Sequence, residues 1–423
     1  MESFFERQER LSWWRQDVLR AARIMVVGAG ALGNETLKNL ALLGVRWMLV
    51  VDQDDIAPSN LSRTVLFQPS DIGRRKAKVA AERTQALCRD NGGTVRPLDA
   101  DLVWDIGLGV FRRVDVILGC VDNDEARLAI NRAARAVGIP WINAGMHELT
   151  GSVTSFSGEA GACFECAVTP DQVADAQSRY DSCEQVRRRY LVEERLPTIQ
   201  VTSALTSALQ VQEALKVLHR EPVNFGVRYV YNGLTHGFHA IQLPYDPHCL
   251  AHGRLGSVVE LPIGADASLR QTLDVLEAHF GHGVTVHLDR RYIRRIGCRR
   301  CGRPLLVQRP AHRIYDDELV CADCPSPSDF AISEATPQAA TADSYIEIVT
   351  CFTGDTFGGA PMTDEDERRT LRQLGIPPLH ILTVEDQCGR RWSCELTGDV
   401  AMVLGDWGAE TLASSGGRPG SRA

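Results

Sequence analysis

Between Arg23 and Arg63 the chain sets out groups able to hold a nucleotide. An apolar run, Ile24 to Val27, leads into Gly28-Ala-Gly30-Ala-Leu-Gly33; a helical stretch and a second apolar run follow, then Asp52-Gln-Asp54-Asp55 and Ser59-Asn60-Leu-Ser-Arg63. Gly28 suits a tight strand-to-helix turn, Gly30 lets backbone approach a phosphate or ribose, and Gly33 lets helix and strand pack closely. Asp52 stands about 20 residues past the last glycine, where a carboxylate accepts hydrogen bonds from ribose hydroxyls. A nicotinamide dinucleotide would satisfy these residues equally well. Asn60, Arg63, Arg74, Arg75, Lys76 and Lys78 then follow in quick succession. They are more donors than a pyrophosphate already held by backbone amides needs, and a triphosphate would use them.

The thirteen cysteines supply a second chemistry. Cys298-x-x-Cys301 and Cys321-x-x-Cys324 have the spacing of a zinc ribbon, in which two tight turns each place two thiolates on one side of a tetrahedral ion. No open position with a nearby acid or base accompanies them, so the expected role is structural. Cys88 and Cys120 read as core residues, and Cys351, Cys388 and Cys394 have no site-like spacing. His147, His236, His239, His279 and His282 lack any nucleophile motif nearby and do not suggest a triad.

The elements that would position these groups alternate strand and helix from Arg23 to about Ala144, which predicts a mostly parallel sheet covered on both faces. A more irregular region runs from Gly158 to Pro197. Thr198 to His219 reads as one long helix whose apolar face is Ile199, Ala204, Leu205, Ala208, Val211, Leu215 and Leu218. Arg228 to Tyr231 and His236 to Leu243 suggest a closing hairpin. Further on, Ser268 to Phe280 reads as helical and Val284 to Leu288 as extended. Tyr345 to Cys351, Thr363 to Leu374, Leu379 to Glu385 and Arg391 to Leu396 suggest a small α/β unit.

With 423 residues, 44% of them apolar, the chain can build two or three domains with cores of their own. A net charge of -8 argues against a nonspecific nucleic-acid binder. No run approaches about 18 apolar residues, and Met1 to Arg10 lacks the apolar core of a signal peptide. The expectation is a cytoplasmic protein with no membrane and no nucleic-acid partner, in which cysteines serve as ligands, buried thiols or a nucleophile rather than in disulfides.

Five segments in order carry a family resemblance: Val27-Gly-Ala-Gly-Ala-Leu-Gly33, Val51-Asp-Gln-Asp54, Ser59-Asn-Leu-Ser-Arg63, Asp71-Ile-Gly-Arg-Arg-Lys76 and Gly119-Cys-Val-Asp122-Asn-Asp-Glu-Ala-Arg127. Together they resemble the adenylation domain of the ThiF/MoeB and ubiquitin-activating (E1-like) superfamily over roughly residues 5 to 253. The resemblance implies an α/β, Rossmann-like fold that binds ATP and Mg2+. It places Asp52 and Asp54 at the nucleotide, Asn60, Arg63 and Lys76 on the triphosphate, and Asp122 on magnesium. Arg7 matches an arginine inserted into a neighbouring protomer's site in a homodimer, and reads equally well as a solvated charge. Thr64 departs from the glutamine that often follows the arginine. Relatives close a zinc site with two Cys-x-x-Cys pairs; here Cys163-x-x-Cys166 and Cys249-x-x-His252 suggest a Cys3His version, the alternative being a lost zinc site with His252 at the surface. Cys183 falls where superfamily members carry the acyl-accepting thiol, with Arg179, Arg187, Arg188 and Arg189 able to favour its thiolate and Asp181 and Glu184 opposing. The other reading is an exposed structural cysteine.

The expected organisation is an adenylation domain at 1–253, a small α/β segment at 254–295, a zinc ribbon at 296–326, a linker at 327–343, a small α/β module at 344–407 and a disordered tail at 408–423. The implied function is adenylation of the C-terminal glycine of a ubiquitin-like protein and its capture on Cys183, with delivery to an E2-like conjugating enzyme as a further option. A MoeB-type sulfur-carrier adenylyltransferase that stops at the adenylate is the first alternative. An NAD-dependent oxidoreductase is the second, disfavoured by Arg63, Lys76 and Asp122.

Overall fold

The computed structural model describes residues 3–89, 93–169, 197–298, 301–314, 319, 321, 323–324, 346–405 and 407. Its first sheet contains β1 (Arg23–Val27), β2 (Trp47–Val51), β3 (Thr94–Leu98), β4 (Val116–Gly119), β5 (Trp141–His147), β6 (Thr150–Phe156), β7 (Val227–Asn232) and β8 (Gly237–Gln242). They lie in the order β3-β2-β1-β4-β5-β6-β7-β8. The first five are parallel and the last three antiparallel. The central parallel strands are unbroken apolar runs, as strands covered on both faces must be. The expected mixed α/β fold with a large, parallel-rich sheet is what forms.

Around this sheet lie α1 (Glu6–Glu9), α2 (Gln16–Ala21), α3 (Ala31–Leu43), α4 (Lys76–Leu87), α5 (Leu108–Phe111), α6 (Asp124–Val137) and α7 (Gln200–His219). On one face, Leu37 and Leu40 of α3 and Val211 of α7 pack with Met48, Val50 and Ile142. On the other, Ile130 of α6 packs with Met25, Leu49, Ile117, Trp141 and Phe156. Each such aliphatic side chain contributes about 1.5–3 kcal/mol by leaving water. α6 shows why its ends fall where they do. The Asn123 side chain accepts a hydrogen bond from the Ala126 amide at 2.8 Å, and Gly138, at φ 73°, lets the chain leave in the left-handed region.

The long helix forms as expected, but it does not bury the face its apolar residues suggested. Val211 and Leu215 are buried, whereas Ile199, Leu205 and Ala208 are exposed, Leu205 at 38% and neighbouring Val201 at 67%. The buried face carries Thr202, Ser203, Thr206, Ser207, Gln210 and Glu213. Short hydroxyl side chains let α3 approach, and the polar atoms satisfy one another. Thr36 and Ser207 share a hydrogen bond of 2.7 Å, and Gln210 donates to the carbonyls of Gly119 at 3.0 Å and Ile142 at 2.9 Å. The Cys120 thiol donates to Gln210 Oε1 at 3.3 Å, and burial pushes its pKa up to about 12. A fully paired polar layer of this kind costs little, and it fixes one helix register.

The C-terminal half builds a second sheet from β9 (Val258–Leu261), β10 (Thr285–Gly297), β11 (Pro304–Pro310), β12 (Ile346–Phe352), β13 (Thr356–Phe357), β14 (Ala360–Pro361), β15 (Ile381–Glu385) and β16 (Arg391–Leu396). Its order is β14-β13-β12-β10-β15-β16-β9, with β11 pairing β10. The strands expected within 254–295 and those expected within 344–407 therefore share one sheet, and β10 continues into the segment expected to be the ribbon. Helix α8 (Leu269–Phe280) covers this sheet with Leu269, Leu273 and Leu276, capped by Ser268 and Gln271 reciprocally. The segment 363–374 holds α9 (Asp364–Arg368) and a short 3-10 turn at Arg372–Leu374. Finally α10 (Val400–Leu404) and Trp407 return to the first sheet and join its second core face. The expected linker at 327–343 and tail at 408–423 lie outside the described residues. Among the described residues no helix is long and apolar enough to cross a membrane.

Candidate functional site

The site lies where β1, β2 and β4 end. Gly28 has φ 92°, and a Cβ there would stand 2.5 Å from the Cys120 carbonyl oxygen; at Gly33 a Cβ would stand 1.9 Å from the Gly28 oxygen. Backbone stands where neither position could accept a side chain. Gly30 differs, since a Cβ there would meet nothing within 4 Å. Open space at the entry to α3 leaves room for a ligand group against the backbone, with the helix N-terminus favouring an anion.

Asp52 follows β2. Its Oδ2 accepts from the Ala29 amide at 2.7 Å and its Oδ1 from the Asp54 amide at 2.8 Å. Those bonds fix the carboxylate beside the glycine loop and leave lone pairs for hydroxyl donors. Burial raises its pKa, opposed by the Lys76 charge and the two amides. Lys76, the first residue of α4, pairs with Asp54 at 2.8 Å. Burial works against its charge, but the fields of Asp52, Asp54 and Asp122 and the Asp54 hydrogen bond prevail, and its pKa is raised. The lysine is thus held cationic among three carboxylates contributed by β2, its following turn and the end of β4.

Asp122 is exposed just past β4, 3.4 Å from the Asn123 side-chain nitrogen. Asn60 Oδ1 caps its own turn by accepting from the Ala57 amide at 2.9 Å, and Arg63 donates to the Ser59 carbonyl at 2.7 Å while remaining half-exposed. Thr64 is buried and donates to the Asn60 carbonyl at 3.0 Å, so the departure at this position serves the turn. Arg7 lies exposed on α1, which is anchored by buried Phe5 and by Gln8 on the Leu43 carbonyl at 3.2 Å.

The three other expected phosphate donors are committed elsewhere. Arg74 pairs with Asp71 at 2.7 Å and Glu82 at 2.8 Å. Arg75 pairs with Asp99 at 2.6 Å and Asp55 at 3.2 Å, and Lys78 also reaches Asp99, at 3.2 Å. Asp99, directly after β3, is a residue that sequence reasoning missed. An aspartate at a strand end carries no spacing signal, and only the sheet order brings it to Arg75.

Both cysteine clusters assemble. Within each of the sets Cys163, Cys166, Cys249, His252 and Cys298, Cys301, Cys321, Cys324, the four ligand atoms lie within 4.8 Å of one another, the reach of one tetrahedral zinc. In the first, Cys163 and Cys249 sulfurs are 3.7 Å apart and Cys166 Sγ is 3.3 Å from His252 Nε2. Tyr245 stacks on the His252 ring at 5.4 Å, and Asn131 accepts from the Phe164 amide at 2.9 Å, fixing the first Cys-x-x-Cys turn. Burial and the Cys163 thiol push Cys249 up to about 12, so the three close thiols beside His252 are stable as thiolates only opposite a cation. In the second, Gly302 donates to the Cys298 carbonyl at 2.8 Å and Cys324 to that of Cys321 at 3.3 Å, one tight turn per pair.

The expected metal content is therefore two zinc ions per chain, falling to one in Cys163→Ser. Elemental analysis of the purified proteins checks this, and a wild-type content of one zinc that Cys163→Ser leaves unchanged would remove the Cys3His site. Cys183 and its flanking arginines lie outside the described residues, so the expected acceptor thiol has no described position.

A family model described as the ThiF family matches residues 5–251. The sulfur carrier protein adenylyltransferase of Thermus thermophilus is 30% identical over 241 residues, covering 55% of this chain and 83% of that protein. SUMO-activating enzyme subunit 2 of Dictyostelium discoideum is 35% identical over 150 residues, covering 36% of this chain but only 22% of that protein. The chain thus spans less than a quarter of the latter's length. Among solved structures, E. coli MccB with ATP matches at 19% identity with a TM-score of 0.48, over 60% of this chain and 74% of that one.

Proposed function

The chain belongs to the ThiF family, and from that premise we propose that it activates the C-terminal carboxylate of a ubiquitin-like protein with ATP and then captures the acyl group on Cys183. The observation that carries the reading is the convergence of Asp52, Lys76 and Asp122 around the open backbone at Gly30. Asp52 takes the ribose, while Lys76, Asn60 and Arg63 face the phosphates. A magnesium ion held by Asp122 would supply further charge neutralisation on the departing pyrophosphate.

The incoming carboxylate is already ionised, so no general base is needed. One of its oxygens bonds to the α-phosphorus, the bond to pyrophosphate breaks, and negative charge grows on phosphoryl oxygens that Arg63 and Lys76 face. Catalysis at this step is positioning and electrostatic stabilisation. In the second step the Cys183 thiolate attacks the acyl carbon, AMP leaves, and the thiol proton has gone to solvent. The exposed apolar stripe of α7, Ile199, Val201, Leu205 and Ala208, supports a homodimer, in which Arg7 would serve the neighbouring site. A cytoplasmic location and an E2-like recipient belong to the same reading.

The sulfur-carrier alternative, which ends at the adenylate, is favoured by one observation: the Thermus adenylyltransferase matches over 83% of its length. One experiment tests both. Wild type and Cys183→Ala should show equal ATP–pyrophosphate exchange that depends on a partner ending in glycine, and only wild type should form a reductant-sensitive covalent adduct. Exchange without any adduct in wild type selects the sulfur-carrier reading. Tight NADH binding with no ATP binding would overturn both.

A further inference from the structure

We infer that the C-terminal sheet unit is a positioning element of the nucleotide site, gripping the loop 99–106 and through it the turn that presents Lys76. The inference rests on the nucleotide reading above, and the test below separates the two.

The path begins at Lys76. Its backbone amide donates to the Asp54 carbonyl at 2.9 Å, and the preceding residue, Arg75, is held by Asp99 at 2.6 Å. Asp99 also takes Lys78 at 3.2 Å, so a single carboxylate steadies the first turn of α4 from outside. Asp99 opens the loop that leads from β3 to α5, and the C-terminal half holds that loop at successive points. Arg290, buried on β10, donates to the Trp104 carbonyl, to that of Val103 at 3.2 Å and to that of Gly375 at 3.2 Å. His312 lies flat on Trp104, ring centres 4.3 Å apart and planes 5° from parallel. Arg313 reaches Asp105 at 3.4 Å, and the Gly109 amide donates to the Leu379 carbonyl at 2.8 Å.

These contacts are unusual in kind. A buried guanidinium spanning carbonyls on two parts of the chain makes charge-assisted bonds in a fixed fork, a geometry that specifies position. On the other side of the loop Asp99 meets Arg75, the residue before α4, and Lys78 on it. Freed from Arg290, the loop would lose its buried charge-assisted grip, leaving the His312 and Arg313 contacts to hold its far end, and Asp99 would hold Arg75 less closely. Lys76 would then be less well placed for phosphates, while Asp52, fixed by the Ala29 and Asp54 amides, would still hold a ribose. Arg290 acts through another residue and touches no substrate, so its role is positioning.

Calorimetric titration of the full chain with magnesium ATP and, separately, with adenosine tests this. Arg290→Met should weaken ATP about tenfold while adenosine binding stays within about twofold of wild type, and Arg290→Lys should recover part of the loss. Asp99→Asn should do the same, and the double variant should be no worse than the weaker single, because both act along one path. Equal weakening of ATP and adenosine, unchanged ATP binding, or additive losses in the double variant would each overturn the inference. A wild-type chain that binds no ATP would overturn the nucleotide reading and the inference with it. Should Arg290→Met fail to fold, His312→Ala combined with Arg313→Gln releases the same loop and is read in the same titrations.

Discussion

Arg63→Ala and Asp122→Ala should each lower partner-dependent pyrophosphate exchange by about a hundredfold to a thousandfold, because on the proposed reading the first removes a positive charge facing the phosphoryl group as the bond to pyrophosphate breaks and the second removes the carboxylate that would hold magnesium there. The fold should survive both changes. Arg63 is half-exposed, its one bond in the turn being to the Ser59 carbonyl at 2.7 Å, and Asp122 is exposed beyond the strand end. Surface substitutions of this sort usually alter stability by no more than about 0.5 kcal/mol. Exchange assays beside thermal melts check the pair of expectations. Normal exchange in either variant would mean that the charge stands away from the transferring phosphate, and a collapsed melt would make the loss structural. Asp122→Ala should in addition release Lys76 from one of the fields that raise its pKa, though Asp52 and Asp54 keep it charged.

Glu395→Ala should give the largest loss of stability. The carboxylate is 0% exposed and lies between Arg112 and Arg113, joining β16 of the second sheet to the end of α5 beneath the first. Removing it leaves two guanidiniums facing one another in a site built for an anion, and breaking a buried pair in this way costs about 3–5 kcal/mol. The figure belongs to Arg113, which is nearly buried; Arg112 is 32% exposed, so water relieves part of its share. Chemical denaturation followed by tryptophan emission checks it, with Trp47 and Trp407 near each other across the same junction. Glu395→Gln should be milder, since its amide oxygen still accepts from one arginine. A midpoint unchanged in Glu395→Ala would mean that the two units are held by their other contacts alone.

The nucleotide domain was legible in the sequence because its signals are local. A parallel strand is an unbroken apolar run, a glycine loop marks the turn after it, and a Cys-x-x-Cys pair closes on itself. What was misread depends on distant partners. The polar residues of α7 look solvent-facing until Thr36 and the carbonyls of Gly119 and Ile142 are brought against them, which inverts the helix. Arg74 and Arg75 look available for phosphate until Asp71, Glu82 and Asp99 take them. The C-terminal pieces look independent because β9 pairs in the sheet with β16, more than a hundred residues later, and no local pattern announces such a pairing. His252 stood out because Cys249-x-x-His252 falls where relatives carry a second Cys-x-x-Cys pair, and the geometry brings it to the other three ligands.

The return of the chain to its first sheet has a consequence for synthesis. Val400, Leu404 and Trp407 complete a core most of whose other members, Leu243 and Leu379 excepted, are already present once α7 has been made. At translation rates of about 5–20 residues per second, the nearly two hundred residues between the end of α7 and Trp407 take roughly 10–40 s to appear. Throughout that interval the nascent chain carries one apolar sheet face without its final cover, and β9 has no edge to join. The ribosome-bound protein is therefore sticky for much longer than its strand-and-helix alternation implies, and a stop codon shortly before Trp407 would make that exposed state permanent.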